Sequence, residues 1–221
     1  MNPNPNYRYR LKFEKLGNMR FIGHLDTLAL FERCLTLTKL PVALSEGFNK
    51  RKQLAFAIPL GLGVASIAEC LDIDFTQDLD PNLVLSSLNN HLPKGIHITA
   101  TQLLPPNTKS APRVAIAATY QTTSLADPST IATNIQTFLN STQVLVLKKT
   151  KSGETQTNIR PLVYDAHIQD NKIITTLSVG EKNLKPQVFV NYIAPQQPNI
   201  SFTRIDILKQ DTSGQLVPIW H

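Results

Sequence analysis

Three prolines within ten residues, Pro105, Pro106 and Pro112, break the chain near its middle, and a similar order of elements is written on either side of the break. Before it, Tyr7 to Lys15 alternates, with Tyr7, Tyr9, Leu11 and Phe13 on one face and Arg8, Arg10, Lys12 and Glu14 on the other. That period of two predicts a strand with a basic outer face. Leu25 to Leu40 is apolar at 25, 28, 31 and 35, with a second row at 30, 34 and 37, which predicts a helix stopped by Pro41. Val42–Leu44 and Leu54–Ile58 read as strands, as does Ala68–Phe75 after a bend at Gly61 and Gly63. Asp80-Pro81 opens a second helix, with Asp80 as N-cap, and Ile96–Leu103 supplies a closing strand.

After the break, Val114–Thr122 reads as a strand and Asp127-Pro128 opens a helix with the same two-residue start. Val144–Thr150 follows as a strand. Leu162–Ile168 and Ile173–Val179 form a hairpin around Asp170-Asn171, Lys185-Pro186 starts a short helix, and Ile200–Lys209 closes the order. Strand, helix, strands, helix, strand fits an α+β class of two tandem ferredoxin-like (split βαβ) units with antiparallel sheets. The expected division is residues 1–104, a linker over 105–112, and 113–221.

Charge is unevenly spread. Residues 1–52, 53–106 and 107–221 carry balances of +6, −4 and +4, so the first quarter holds the whole net charge of +6. Such a concentration points to an anionic partner, nucleic acid before membrane. The two cysteines, Cys34 and Cys70, lack a CxxC partner and cannot hold an iron–sulfur cluster; their apolar neighbours predict buried free thiols. Met1 to Asn6 has neither a basic nor an apolar leader region, and no apolar run reaches the roughly 18 residues that span a bilayer. A cytoplasmic protein is expected, with no cofactor of its own.

Two places could carry binding chemistry. In Arg20-Phe21-Ile22-Gly23-His24-Leu25-Asp26, a helix start at His24 makes Gly23 the N-cap and puts Asp26 at the third helical position. Arg20 and His24 could contact a phosphate there, or His24 could serve as an acid or base in RNA scission; the alternative is a capping motif with a surface histidine. The second place is the loop Ser45–Lys52. Phe48 and Asn49 follow Gly47, and Lys50, Arg51 and Lys52 give three successive cations. An aromatic that stacks on a base beside cations that neutralise phosphates is what single-stranded RNA binding requires. A Phe48 folded into the core, with the cations merely solvating a hairpin, is the competing reading. Arg8, Arg10 and Lys12 add charge to the same half. Asp72 and Asp74 share a strand face and read as a polar face of that strand before a metal site; His91, His97, His167 and His221 are too scattered to suggest one.

The run Tyr9 to Gly17, the segment Arg20 to Asp26, Gly47-Phe48-Asn49, Leu54 to Ala57, Pro59-Leu60 and Gly63-Val64 follow one another in a spacing that resembles the radical-SAM-associated bacterial domain of unknown function. Beyond residue 112 the resemblance thins to Arg160-Pro161-Leu162, Lys185-Pro186 and Arg204. This chain has Gly23 where that family usually has serine, and Lys50, Lys52 and Gly61 where it often has proline. The resemblance implies a partner, a radical SAM protein that carries the iron–sulfur chemistry. Together with the basic quarter it predicts a non-catalytic accessory module that binds RNA, tRNA or rRNA, and presents it for modification. Arg10, Arg20, His24, Phe48, Asn49, Lys50, Arg51 and Lys52 are the expected RNA contacts. The alternatives are a metal-independent endoribonuclease using His24 and a protein-docking module without RNA affinity.

Overall fold

Alternation along Tyr7–Lys15 is realised as strand β1, whose Tyr9, Leu11 and Phe13 are buried against the helices of the first half. The computed structural model describes residues 7–123, 127–150, 153–196 and 200–220. After β1 come α1 (His24–Thr38), β2 (Leu54–Phe56), β3 (Ala65–Phe75), α2 (Pro81–Asn89) and β4 (Ile96–Leu103). Then follow α3 (Ala111–Val114), β5 (Ala117–Thr122), α4 (Pro128–Asn140), β6 (Leu145–Thr150), β7 (Gly153–Asn158), β8 (Val163–Gln169), β9 (Lys172–Ser178), α5 (Pro186–Ile193), β10 (Phe202–Gln210) and β11 (Leu216–Pro218).

The fold is mixed α+β on a mostly antiparallel sheet. Its main path runs β4-β1-β3-β10-β5-β9-β8, with β2 added to β3 and β11 to β10. Each half contributes an antiparallel set, β4-β1-β3-β2 and β10-β5-β9-β8. They meet through one short parallel contact, Thr203 opposite Ala65 and Arg204 opposite Ser66. Among the described residues, no helix is long and apolar enough to cross a membrane.

Local chemistry explains the boundaries. Asp80 accepts from the Asn82 N–H and Asp127 from the Thr130 N–H, and proline opens both helices, α2 and α4. Asp170 and Asn171 take positive φ of 48° and 59°, the backbone that a two-residue hairpin turn demands. Two expectations are corrected and one strand is added. Val42–Leu44 makes only isolated bridges, to Phe75 and Lys52, with the Ala43 N–H donating to the Asp74 carbonyl and the Ala43 carbonyl accepting the Gln53 N–H. The strand expected from Val114 begins at Ala117, since Pro112 starts a helical turn instead. β7 pairs with β6 in a separate hairpin that the polar run Gly153–Asn158 did not announce.

Two apolar cores lie under the sheet. The first joins β1, α1, β3, α2 and β4 around Phe13, Phe31, Leu71 and Ile98. The second gathers α4, α5 and the inner residues of β5 and β9, yet it also takes Ala57, Ile58, Leu60, Val64 and Cys70 from the first half. The proline-rich segment is likewise bound to that half. Arg10 Nη2 donates to the Lys109 carbonyl at 3.2 Å, and the Ala111 N–H donates to Asp72 Oδ2 at 2.7 Å.

Candidate functional site

The loop between β-bridge residues Leu44 and Lys52 is closed at its neck and open at its tip. Ser45 N–H donates to the Arg51 carbonyl at 2.8 Å, and Arg51 N–H donates back to Ser45 Oγ at 3.0 Å. Gly47, at φ 114°, turns the tip in a conformation that a side chain would strain. Phe48 at that tip is fully exposed, and Asn49, Lys50 and Arg51 are exposed with it. The reading of Phe48 as a core residue is thereby excluded.

The loop lies beside α1, and a cleft of about 660 Å³ separates them. Glu32, Arg33 and Thr36 line it from the helix; Lys50, Arg51 and Lys52 line it from the loop. Lys52 Nζ donates to Thr36 Oγ1 at 2.8 Å and fastens the loop to the helix. Four cations thus face one carboxylate around an open cleft, with an unpacked aromatic ring at the loop tip. Arg33 is the contributor that the sequence reading missed. It sits on the polar face of α1 between Ala29 and Thr36, where helical spacing alone gave it no partner.

The other expected contacts lie elsewhere. Arg10 does not reach the surface. Its side chain is 4% exposed, and it forks onto Asp72 through Nε at 2.8 Å and Nη2 at 2.9 Å. Burial opposes its charge, but the Asp72 bonds override this and raise its pKa. Register explains the pair: Arg10 stands opposite Asp72 and Arg8 opposite Asp74 across β1 and β3. The basic outer face of β1 is therefore neutralised by the acidic face of β3 and then covered by the linker. Arg20 packs its guanidinium 4.7 Å from the Phe21 ring and sits beside the 61–64 turn, its carbonyl accepting the Gly63 N–H.

His24 opens α1 and meets the Phe56 ring edge-on at 5.3 Å. The helix start is capped from within, because Asp26 Oδ2 accepts the Gly23 N–H at 3.2 Å and the Gly23 carbonyl accepts from Thr27. The carboxylate of Asp26 thus already takes up part of the positive end of α1. Behind His24, Lys15 is buried, with Nζ donating to the Ile22 carbonyl at 2.8 Å; burial pushes its pKa down. Lys15 continues the odd-numbered, inward face of β1, a signal present in the alternation itself. Among the described residues, no group of three or more His, Cys, Asp or Glu could hold a metal. The thiols of Cys34 and Cys70 are free and buried.

Over residues 8–186 the sequence matches the model of a family described as uncharacterized proteins conserved in bacteria (DUF2344). The chain belongs to that family. The DUF2344 match takes in the basic loop, the linker and the whole of the sheet up to β9, and it ends at the first residue of α5. No curated protein matches the chain.

Proposed function

We propose that this DUF2344 chain is a non-catalytic accessory module of a radical SAM protein, built as two ferredoxin-like units, which binds RNA and presents it for modification. The observation that carries the RNA part is the cleft between α1 and the basic loop, where Arg33, Lys50, Arg51 and Lys52 outnumber Glu32 beside the exposed Phe48. Phosphates of a single-stranded segment run along the cations and a base stacks on Phe48. The strand order β4-β1-β3-β2, repeated as β10-β5-β9-β8, supports the ferredoxin-like reading of each half. The radical SAM partner rests on the sequence resemblance. Arg10 has no part in this reading, and Arg20 and His24 stand outside the cleft.

Filter binding of total cellular RNA across a KCl series tests it. Each phosphate contact with single-stranded RNA contributes about 0.7 to the slope of log affinity against log salt. Lys50→Ala/Arg51→Ala is expected to flatten that slope by about 1.4, and Phe48→Ala to weaken binding without changing it. Retention that is absent at low salt, or a slope untouched by the double substitution, would overturn the reading and leave the loop as a face for docking protein.

A further inference from the structure

At the seam where β10 meets β3, a second cleft of about 570 Å³ opens between the two halves. Its wall is apolar, formed by Ile58, Leu60, Val64, Val179 and Pro186. Arg204 and Tyr120 stand in its depth, and exposed Lys185 stands beside it where α5 begins. No carboxylate is among the described residues that line it.

Arg204 is the unusual member. Its side chain is 2% exposed, and its charge is held by Glu69, with Nη1 donating to Oε1 at 2.8 Å. Nη2 donates to the Pro59 carbonyl and to the Tyr120 hydroxyl. Its Nε–H has no partner. A buried guanidinium donor left unpaired is costly, and such groups in native structures call for an explanation. Lys15, buried on the far side of Leu60 and Glu69, adds a second cation to the same neighbourhood. Arg204, Lys15 and Lys185 therefore stand against Glu69 and, beside Lys15, Asp26. The positive end of the eight-residue α5 adds to this field.

We infer that the seam cleft binds a small amphipathic organic anion, its acidic group directed to Arg204 and Lys185 and its apolar body against Ile58, Leu60, Val64 and Val179. An inorganic ion would satisfy the cations but leave the wall in contact with water. A neutral apolar ligand would fill the wall and leave the Arg204 Nε–H without an acceptor. The volume lies within the range of small-molecule sites, and a junction between structural units is where such sites concentrate. This inference is independent of the RNA reading, since the two clefts share no lining residue.

The experiment uses octanoate as probe and octanol as its neutral counterpart, titrated into the ¹⁵N-labelled full chain. Octanoate is expected to shift the Arg204 Nε–H resonance and the amides of Gly61 and Gly180 along one saturating curve. Octanol is expected to bind at least about tenfold more weakly, because the charged contact is lost. Lys185→Glu, at an exposed position, is expected to weaken octanoate about fivefold and to leave octanol unchanged. Lys50→Ala/Arg51→Ala is expected to leave octanoate binding as it is. The proposal is overturned by octanoate shifts confined to residues 45–52, by equal binding of octanoate and octanol, or by an octanoate affinity indifferent to Lys185→Glu.

Discussion

Replacing Asp72 by alanine is the sharpest test of how the first half is held. Two ion pairs bridge β1 and β3 with the same forked geometry, Arg10 on Asp72 and Arg8 on Asp74. They differ in exposure: 4% and 2% for the side chains of the first pair, 34% and 10% for the second. Asp72→Ala leaves a buried guanidinium without its counter-ion and orphans the Ala111 N–H, so it is expected to cost about 3–5 kcal/mol. Asp74→Ala leaves Arg8 able to turn to water, and its cost is expected to be about 1 kcal/mol or less. With a urea dependence of about 2 kcal/mol per molar for a chain of this size, the midpoints move by roughly 2 M and half a molar. Urea unfolding at pH 7 followed by far-ultraviolet circular dichroism reads both. Equal losses for the two variants would refute the argument, because burial would then not be what separates them. Arg10→Met/Asp72→Leu should recover much of the Asp72→Ala loss, by restoring an apolar contact without a stranded charge. The same logic predicts that Arg10→Ala lowers stability while leaving the salt slope of RNA binding unchanged.

Gly95 has φ +97°, and a Cβ there would lie 2.8 Å from the Leu16 carbonyl oxygen and 2.9 Å from Met19 Cγ. Gly95→Ala should therefore lose about 1–3 kcal/mol or more in the same urea assay. Burial raises the pKa of both thiols, that of Cys70 far above the ordinary range. Neither should react with an aromatic disulfide reagent at pH 8 in the folded state, and both should react in urea. Burial lowers the pKa of Lys15 from 10.5. The folded state sheds that proton before the unfolded state does, so the contribution of Lys15 to stability rises with pH from its folded pKa up to about 10.5. Lys15→Met should abolish this rise, read as the difference between wild-type and variant urea midpoints from pH 8 to 10.5.

Elements with strong local signals were legible in the sequence. The alternation of Tyr7–Lys15, the Asp-Pro starts of α2 and α4 and the Asp170-Asn171 turn each carry their own chemistry, and each appears near its expected place. What the sequence hid was pairing at a distance. Nothing local to Arg10 says that Asp72 stands opposite it, so a buried ion pair looked like a basic surface. Arg33 was overlooked because its partners in the cleft come from a loop 17 to 19 residues further along. Arg204 was one position in a thin resemblance until β10 brought it against Glu69 and Tyr120. The loop's composition, Gly-Phe-Asn-Lys-Arg-Lys, made its charge legible but left Phe48 equally readable as exposed or as folded into the core, and only the structure, with Phe48 fully exposed, decides between the two.

The Glu69–Arg204 pair also sets a clock on synthesis. Its two members are separated by 135 residues of chain, and at about 5–20 residues per second a ribosome needs roughly 7–27 seconds to deliver the second after the first. For most of that interval, once β4 has followed, β1, β3 and β4 are all present, but Glu69 lacks its hydrogen-bonded partner Arg204 and the start of β3 has no β10 beside it. A nascent chain therefore carries Glu69 with Lys15 nearby but without its Arg204 bond, and an open strand edge, until β10 emerges. Any product stopped short of residue 204 keeps both, and with them a strand edge open to pairing with another chain.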